Sequence, residues 1–408
     1  MPDKPKPDPS RPHDLVLFGA TGFTGALTAD YLAGHAPAGC RWALAGRDQT
    51  KLEAVRAALA AAHPDVPALA DLPLLTADAT DAAALKTLAE STRVLITTVG
   101  PYARHGEPLA AACAAAGTDY LDLTGEPEFV DRVFLDHHAT AVKTGARLVH
   151  ACGFDSIPHD LGALFTVRQF PDDVPVRMAG FVRASGGFSG GTLASTLLAL
   201  SRPKAMRDAT ARRRTADPRP TDRRIGSAGG RIGHSKDAHA WVAPMPTIDP
   251  QIVLRSAAAL PEYGPDFRYS HYAAVKRLPV ALGGLFAVAT LALAAQVPPL
   301  RKALSNTLKP GDGPGPDRRA RSWFTVRFVA TGGGRRVVTE VAGGDPGYGE
   351  TSKMLAEAAL CLAFDDLPAT AGQVTTAVAM GDALIDRLTA AGITFTVLDR
   401  PPGRAPGR

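Results

Sequence analysis

Cysteine is scarce in this sequence. Cys40, Cys113, Cys152 and Cys361 are widely scattered, and no two of them form a CxxC pair. That spacing argues against a disulfide framework and against a cysteine-based zinc site. It fits a reducing compartment, and no metal is expected. Strong charge imbalance is also lacking, the net being +5 over 408 residues. The proline-rich stretch 1–13 has no apolar run of the kind a secretory signal needs, so it reads as a disordered leader. Apolar content of 45% with 21% charged residues is ordinary for a globular chain and excludes wholesale disorder. The length allows two domains or more.

What is present begins at Leu15-Val-Leu-Phe18, a short apolar run that reads as a buried strand. Gly19-Ala20-Thr21-Gly22-Phe23-Thr24-Gly25 follows, and then a helical stretch from Thr24 to Leu32. A tight strand-to-helix turn needs glycine. A diphosphate needs backbone N–H groups that no Cβ obstructs, at a helix N-terminus whose dipole favours negative charge. The seven residues 19–25 are therefore expected to cradle a dinucleotide, the plainer alternative being an ordinary glycine-rich turn. The second strand, Arg41–Ala45, runs into Gly46-Arg47, 22 residues past Gly25. An NAD-preferring fold carries an acid near that position. Arg47, with Lys51 one helical turn on, suits a ribose 2′-phosphate instead and predicts NADP(H).

Further strands are expected at 72–78, 94–99, 119–124 and 147–151, alternating with helices at 52–62, 82–90, 109–116 and 129–144. That rhythm predicts a doubly wound parallel sheet over 14–160. Ligands in such sheets lie off the carboxyl ends of the strands. Asp78 then either accepts from the adenine amino group or builds a turn, and Val99, Gly100 and Pro101 border the nicotinamide. Hydride transfer to a polarised double bond also needs a proton donor. Tyr102, His105, Tyr120, Glu126, Asp155 and Ser156 are candidates by position. Tyr102 leads, Asp155 and Ser156 come next, and helix capping is the alternative for the last two.

The runs GATGFTG, AGR (45–47), TTVGPY (97–102), YLDLTGE (120–126) and HACGFDSIPHDLG (150–162) resemble the saccharopine dehydrogenase-like oxidoreductases. The closer resemblance is to the branch with trans-acting enoyl reductases of bacterial lipid-polyketide assembly and membrane- or lipid-droplet-associated animal homologues. GDPGYGETSK (344–353) is similar to that branch as well. The resemblance implies an NADP-binding Rossmann domain and a second α/β domain with a mixed sheet, inserted before C-terminal helices.

Boundaries follow at 161–345 for the second domain, 346–400 for helices and a strand packing back on the core, and 401–408 for a polar tail. Ser185–Gly191, a second glycine cluster, reads as a flexible turn rather than another phosphate loop. Tyr272-Ala-Ala-Val-Lys276 has the Y-x-x-x-K spacing of short-chain dehydrogenases but lies outside the Rossmann portion and reads as a chance match.

Two segments point to partners. Residues 201–236 hold 11 Lys and Arg against three Asp. They read either as a solvated face or as a surface for an acidic carrier protein or an anionic lipid. With no aromatic interleaving, nucleic acid is not expected. Residues 278–300 carry no charge and are flanked by Lys276-Arg277 and Arg301-Lys302. An interfacial or re-entrant membrane segment, a buried acyl-lining helix and a true span are the three readings. The functional expectation is an NADPH-dependent reductase of a lipid-like or carrier-bound enoyl substrate, cytoplasmic, with peripheral membrane contact and a homodimer both allowed. A membrane-associated NADP-binding protein without hydride transfer and a saccharopine-type imine reductase are the alternatives.

Overall fold

Leu15, Val16 and Leu17 on β1 (His13–Phe18) are fully buried, as expected of a strand whose sheet is covered on both faces. The computed structural model describes residues 10–185, 195, 197–217, 219–245, 247–305 and 314–399. After β1 come α1 (Phe23–His35), β2 (Trp42–Gly46), α2 (Gln49–Ala62), β3 (Leu74–Thr76), α3 (Ala82–Glu90) and β4 (Thr92–Thr97). The alternation continues with α4 (Tyr102–His105), α5 (Glu107–Ala116), β5 (Asp119–Leu121), α6 (Pro127–Thr144) and β6 (Arg147–Val149). All strand pairings among these are parallel, in the order β3-β2-β1-β4-β5-β6. This is the doubly wound arrangement, and its topological switch falls between β1 and β4. The expected leader is shorter than read: Arg11 donates to the Thr92 carbonyl and the Thr118 hydroxyl, which fastens the chain to the sheet just before β1.

The chain then passes through α7 (Ile157–Val167) into β7 (Val176–Ser185), followed by α8 (Pro203–Ala216), β8 (Arg224–Ser227), β9 (Gly233–Ser235) and β10 (Ala240–Pro244). α9 (Asp249–Ala259) and β11 (Asp266–Val275) precede the apolar segment, which forms α10 (Leu278–Gln296) and α11 (Pro298–Ser305). α12 (Pro316–Ala320), β12 (Trp323–Gly332) and β13 (Arg335–Gly343) complete this part. β7 pairs β11 in parallel and β12 antiparallel, so the second sheet is mixed. The glycine cluster after Ser185 lies outside the described residues.

The C-terminal part serves both sheets. α13 (Gly349–Phe364) is buried along most of its length and packs on α1. β14 (Gly372–Val374) adds a seventh parallel strand beyond β6. Next come α14 (Thr376–Ala379) and α15 (Gly381–Ala390), separated where Gly381 takes a left-handed φ of 48°. β15 (Thr394–Asp399) then pairs β13 at the edge of the mixed sheet.

Two of the three readings of 278–300 fail against this fold. A buried helix would be mostly covered, yet α10 is almost wholly exposed, with Leu282 at 55%, Phe286 at 76% and Leu293 at 73%. A single crossing would put β11 and β12 on opposite sides of a membrane, yet both pair with β7. α10 is the one helix among the described residues long and apolar enough to cross.

Candidate active site

The glycine loop is shaped by close approach. Gly19 has φ 91°, and a Cβ there would stand 2.7 Å from Thr98 Oγ1. A Cβ on Gly25 would stand 2.1 Å from the Gly19 carbonyl oxygen, so α1 packs against the turn only because that position is bare. Gly22 caps α1 with no side-chain bond, and the first turn holds no acid. Its N–H groups are open to an anion, which the helix dipole favours. The Thr98 hydroxyl donates to the Gly19 carbonyl at 3.1 Å and ties the loop to the end of β4. These residues fit a dinucleotide diphosphate.

Arg47 follows β2 and is exposed, as is Lys51, whose Nζ lies 3.7 Å from Asp48. Asp78 accepts from the Thr80 hydroxyl at 2.6 Å and the Thr80 N–H at 2.9 Å. Those bonds first, and then the charges of Arg47 and His105, hold its carboxyl below the usual range. Asp78 is therefore a turn-building residue on the same rim as Arg47. Both bonds go to Oδ1, so Oδ2 keeps its acceptor sites and the adenine reading stays open beside the turn.

Across the switch point, the residues after β4 and β5 interlock. Glu126 accepts from the Tyr102 N–H and the Ala103 N–H, both at 2.9 Å, and from Ser195 Oγ at 2.7 Å. It secures the start of α4, with both carboxyl oxygens accepting from its backbone. Tyr102 is only 5% exposed, donates its hydroxyl to the Thr97 carbonyl at 3.1 Å and accepts from the Leu123 N–H at 3.2 Å. Burial also pushes its pKa well up. The leading donor by position thus proves to be a brace between β4 and the 123–126 loop. Tyr120 is fully buried among the core residues below. Ser156 is fully buried as well, and its hydroxyl donates to the Asp155 carbonyl at 2.6 Å. It neither reaches the open face nor caps α7 with its side chain.

Asp155 differs from all of these. Its side chain keeps solvent contact and takes no hydrogen bond among the described residues. Protein nevertheless closes around it so far that burial, helped by the charge of Asp249, lifts its carboxyl to about 7. Asp155 thus combines an exposed carboxyl with surroundings that disfavour its charge, past the end of β6, where sheets of this kind hold their ligands. Gly125 stands beside it: a Cβ there would be 3.5 Å from Asp155 Oδ2.

One wall of the site is contributed from far along the chain. In GDPGYGETSK, Asp345 accepts from the Gly347 and Gly349 N–H groups and shapes the entry to α13. Tyr348 meets Phe23 of the glycine loop edge-on at 4.8 Å. Thr351 Oγ1 accepts from the Phe154 N–H at 3.1 Å, immediately before Asp155. The sequence marked this motif, but nothing local in it says that it touches both the cofactor loop and the Asp155 turn. Tyr272 and Lys276 fall on and just past β11, where four residues span about 13 Å. One helical turn would have brought such a pair together, so this motif is a chance match.

Comparison with known proteins bears on the same regions. The family profile described as saccharopine dehydrogenase NADP binding domain matches residues 15–149. A Mycobacterium tuberculosis protein provisionally named a trans-acting enoyl reductase is 41% identical over 94% of this chain and 97% of its own. The trans-acting enoyl reductase of Mycobacterium bovis is 37% identical over the same shares. Among solved structures, saccharopine dehydrogenase (L-Glu forming) from Saccharomyces cerevisiae matches with a TM-score of 0.57. It covers 95% of this chain and 100% of its own, at 11% identity, a likeness of fold.

Proposed function

The chain belongs to the saccharopine dehydrogenase-like oxidoreductases, in the branch of the trans-acting enoyl reductases, and binds NADP(H). From that premise we propose that it reduces the C=C bond of a lipid-like or carrier-bound enoyl thioester. The observation that carries the reading is the exposed carboxyl of Asp155, which takes no hydrogen bond among the described residues and stands beside Gly125 past the end of β6. Bound NADPH supplies the hydride for the β-carbon of the enoyl group. Residues 19–25 hold its diphosphate, Arg47 and Lys51 its 2′-phosphate, and the Val99–Pro101 turn borders its nicotinamide end. Asp155 keeps its proton near neutral pH and delivers it from a carboxyl oxygen to the substrate α-carbon. Tyr102 and Glu126 fix the backbone around that point rather than transferring protons.

Two features support an acyl substrate over an amino acid with several carboxylates. The side chain beside Gly125 is the carboxyl of Asp155, which offers no cationic partner to a substrate with several carboxylates. The basic run at 201–236 does not offer arginines freely to the pocket. Arg202 pairs with Glu128 at 2.6 Å, Arg213 is buried, and Arg219 and Arg223 bond backbone carbonyls. Seven basic residues of the run remain exposed, Lys204, Arg207, Arg212 and Arg214 on α8 and Arg224, Arg231 and Lys236 beyond it, a basic surface of the kind an acidic carrier protein would require. The direct test is NADPH oxidation with an enoyl thioester. One NADPH consumed per saturated product supports the reading, and no turnover over a broad enoyl panel contradicts it.

Arg47→Ala is expected to weaken NADPH binding about 10- to 100-fold, the loss of one or two charge-assisted bonds, while leaving NADH affinity unchanged. Isothermal titration with both nucleotides measures this; equal loss for both would remove Arg47 from the 2′-phosphate site. The exposed α10, flanked by Lys276-Arg277 and Arg301-Lys302, further supports attachment to a lipid surface. Deleting 279–305 is expected to abolish flotation with anionic vesicles and to leave turnover of a short soluble enoyl thioester intact. Flotation that survives the deletion would place attachment elsewhere.

A further inference from the structure

Between α7, α9 and β11, three side chains converge that the proposed reaction does not use. His159, Asp249 and His271 are each no more than 5% exposed. His159 Nδ1 lies 3.2 Å from Asp249 Oδ1, and His271 Nε2 lies 3.4 Å from Asp249 Oδ2. Neither contact has the direction of a hydrogen bond. Both nitrogens of His159, His271 Nε2 and Asp249 Oδ1 are buried without a partner. Such groups are costly to leave unmet, so a converging set of them needs an explanation.

The geometry points to a divalent-cation site, zinc by ligand type, held by His159, Asp249 and His271. Zinc takes nitrogen and carboxylate oxygen at about 2.0–2.2 Å, and tetrahedral ligand atoms then stand about 3.3 Å apart. The two contacts run to different oxygens of Asp249, so its carboxylate meets an ion through both oxygens or turns to present one. With one ligand atom taken from each residue, the three lie within 4.8 Å of one another, and small side-chain rotations close them to that spacing. His271 is already oriented, since its Nδ1 shares a hydrogen bond of 3.0 Å with the Tyr269 hydroxyl, the outer-shell partner a ligating imidazole keeps.

The competing arrangement is a metal-free cluster in which one imidazolium pairs with Asp249. An ion here joins the helix that follows the Asp155 turn to the start of α9 and to the central part of the mixed sheet, acting as a structural staple.

Metal content of the full chain, prepared without chelator or histidine tag and loaded with zinc alone, tests the site. About one zinc per chain is expected, falling at least tenfold in His159→Gln and in His271→Gln. Less than about 0.1 zinc per chain in the natural protein, or full zinc content in both variants, overturns the assignment. Cobalt substitution of the natural protein covers the case of a variant that does not fold. One Co2+ per chain with intense tetrahedral visible bands, displaced by zinc, supports the site, and only the weak spectrum of hydrated Co2+ contradicts it. Either result is independent of turnover and so separable from failure of the proposed reaction.

Discussion

Asp155→Asn lowers turnover of an enoyl thioester by about 10²- to 10⁴-fold, the range associated with losing a general acid, while NADPH affinity stays within about twofold. The amide matches the carboxyl in shape and keeps the Ser156 contact, which is to the backbone carbonyl of residue 155. What it removes is the proton. The pH dependence gives the second half of the expectation. An acid must be protonated to work, and burial, the largest cause, lifts this carboxyl to about 7. The rate is therefore full below pH 7 and falls as pH rises through it, and the falling limb disappears from the residual activity of the variant. Tyr102→Phe is the internal comparison. Its hydroxyl braces Thr97 and Leu123, so its loss costs stability of about 1 kcal/mol and leaves the pH profile in place. A normal rate in Asp155→Asn with a collapsed one in Tyr102→Phe would reverse the two roles.

The second large effect belongs to the loop. Gly25→Val puts a branched side chain where even a Cβ stands 2.1 Å from the Gly19 carbonyl oxygen. The contact is with backbone, which cannot swing aside, so α1 has to move off the turn. NADPH affinity is expected to fall more than about 100-fold, equivalent to about 3 kcal/mol. Gly233→Ala is the matched control, since nothing lies within 4 Å of a Cβ there and its φ is ordinary. Fluorescence titration of NADPH separates the two. An unaffected Gly25→Val would mean that the turn does not carry the diphosphate.

The parts of this protein that could be read in advance are those whose signal is local. Leu15–Phe18 is a buried strand because four apolar residues precede three spaced glycines, and Arg47 follows the next strand at a diagnostic interval. Gly117, in the left-handed region with φ 70°, ends α5 where the sequence places the stop. What escaped reading depends on contacts between distant segments. Tyr102 ranked first by position, but the partners that occupy its hydroxyl, Thr97 and Leu123, become visible only in three dimensions. Asp155 and Ser156 look alike in GFDS, yet one is exposed and the other is buried. The shift at Asp155 comes partly from Asp249 on another element. β14 is three residues long and carries no pattern of its own, so its addition to the sheet had no sequence signature. His159, Asp249 and His271 match no spaced motif, and only the folding of α9 and β11 against α7 brings them together.

The decisive event is the passage of hydrogen from NADPH to an enoyl carbon beside Asp155. Turnover with nicotinamide-deuterated NADPH in ordinary water, followed by mass spectrometry of the product, measures that directly. One deuterium at the β-carbon of the saturated thioester, with the α-proton drawn from solvent through Asp155, is the predicted result. NADPH that binds but is recovered undiminished with its deuterium, beside unreduced thioester, would contradict it.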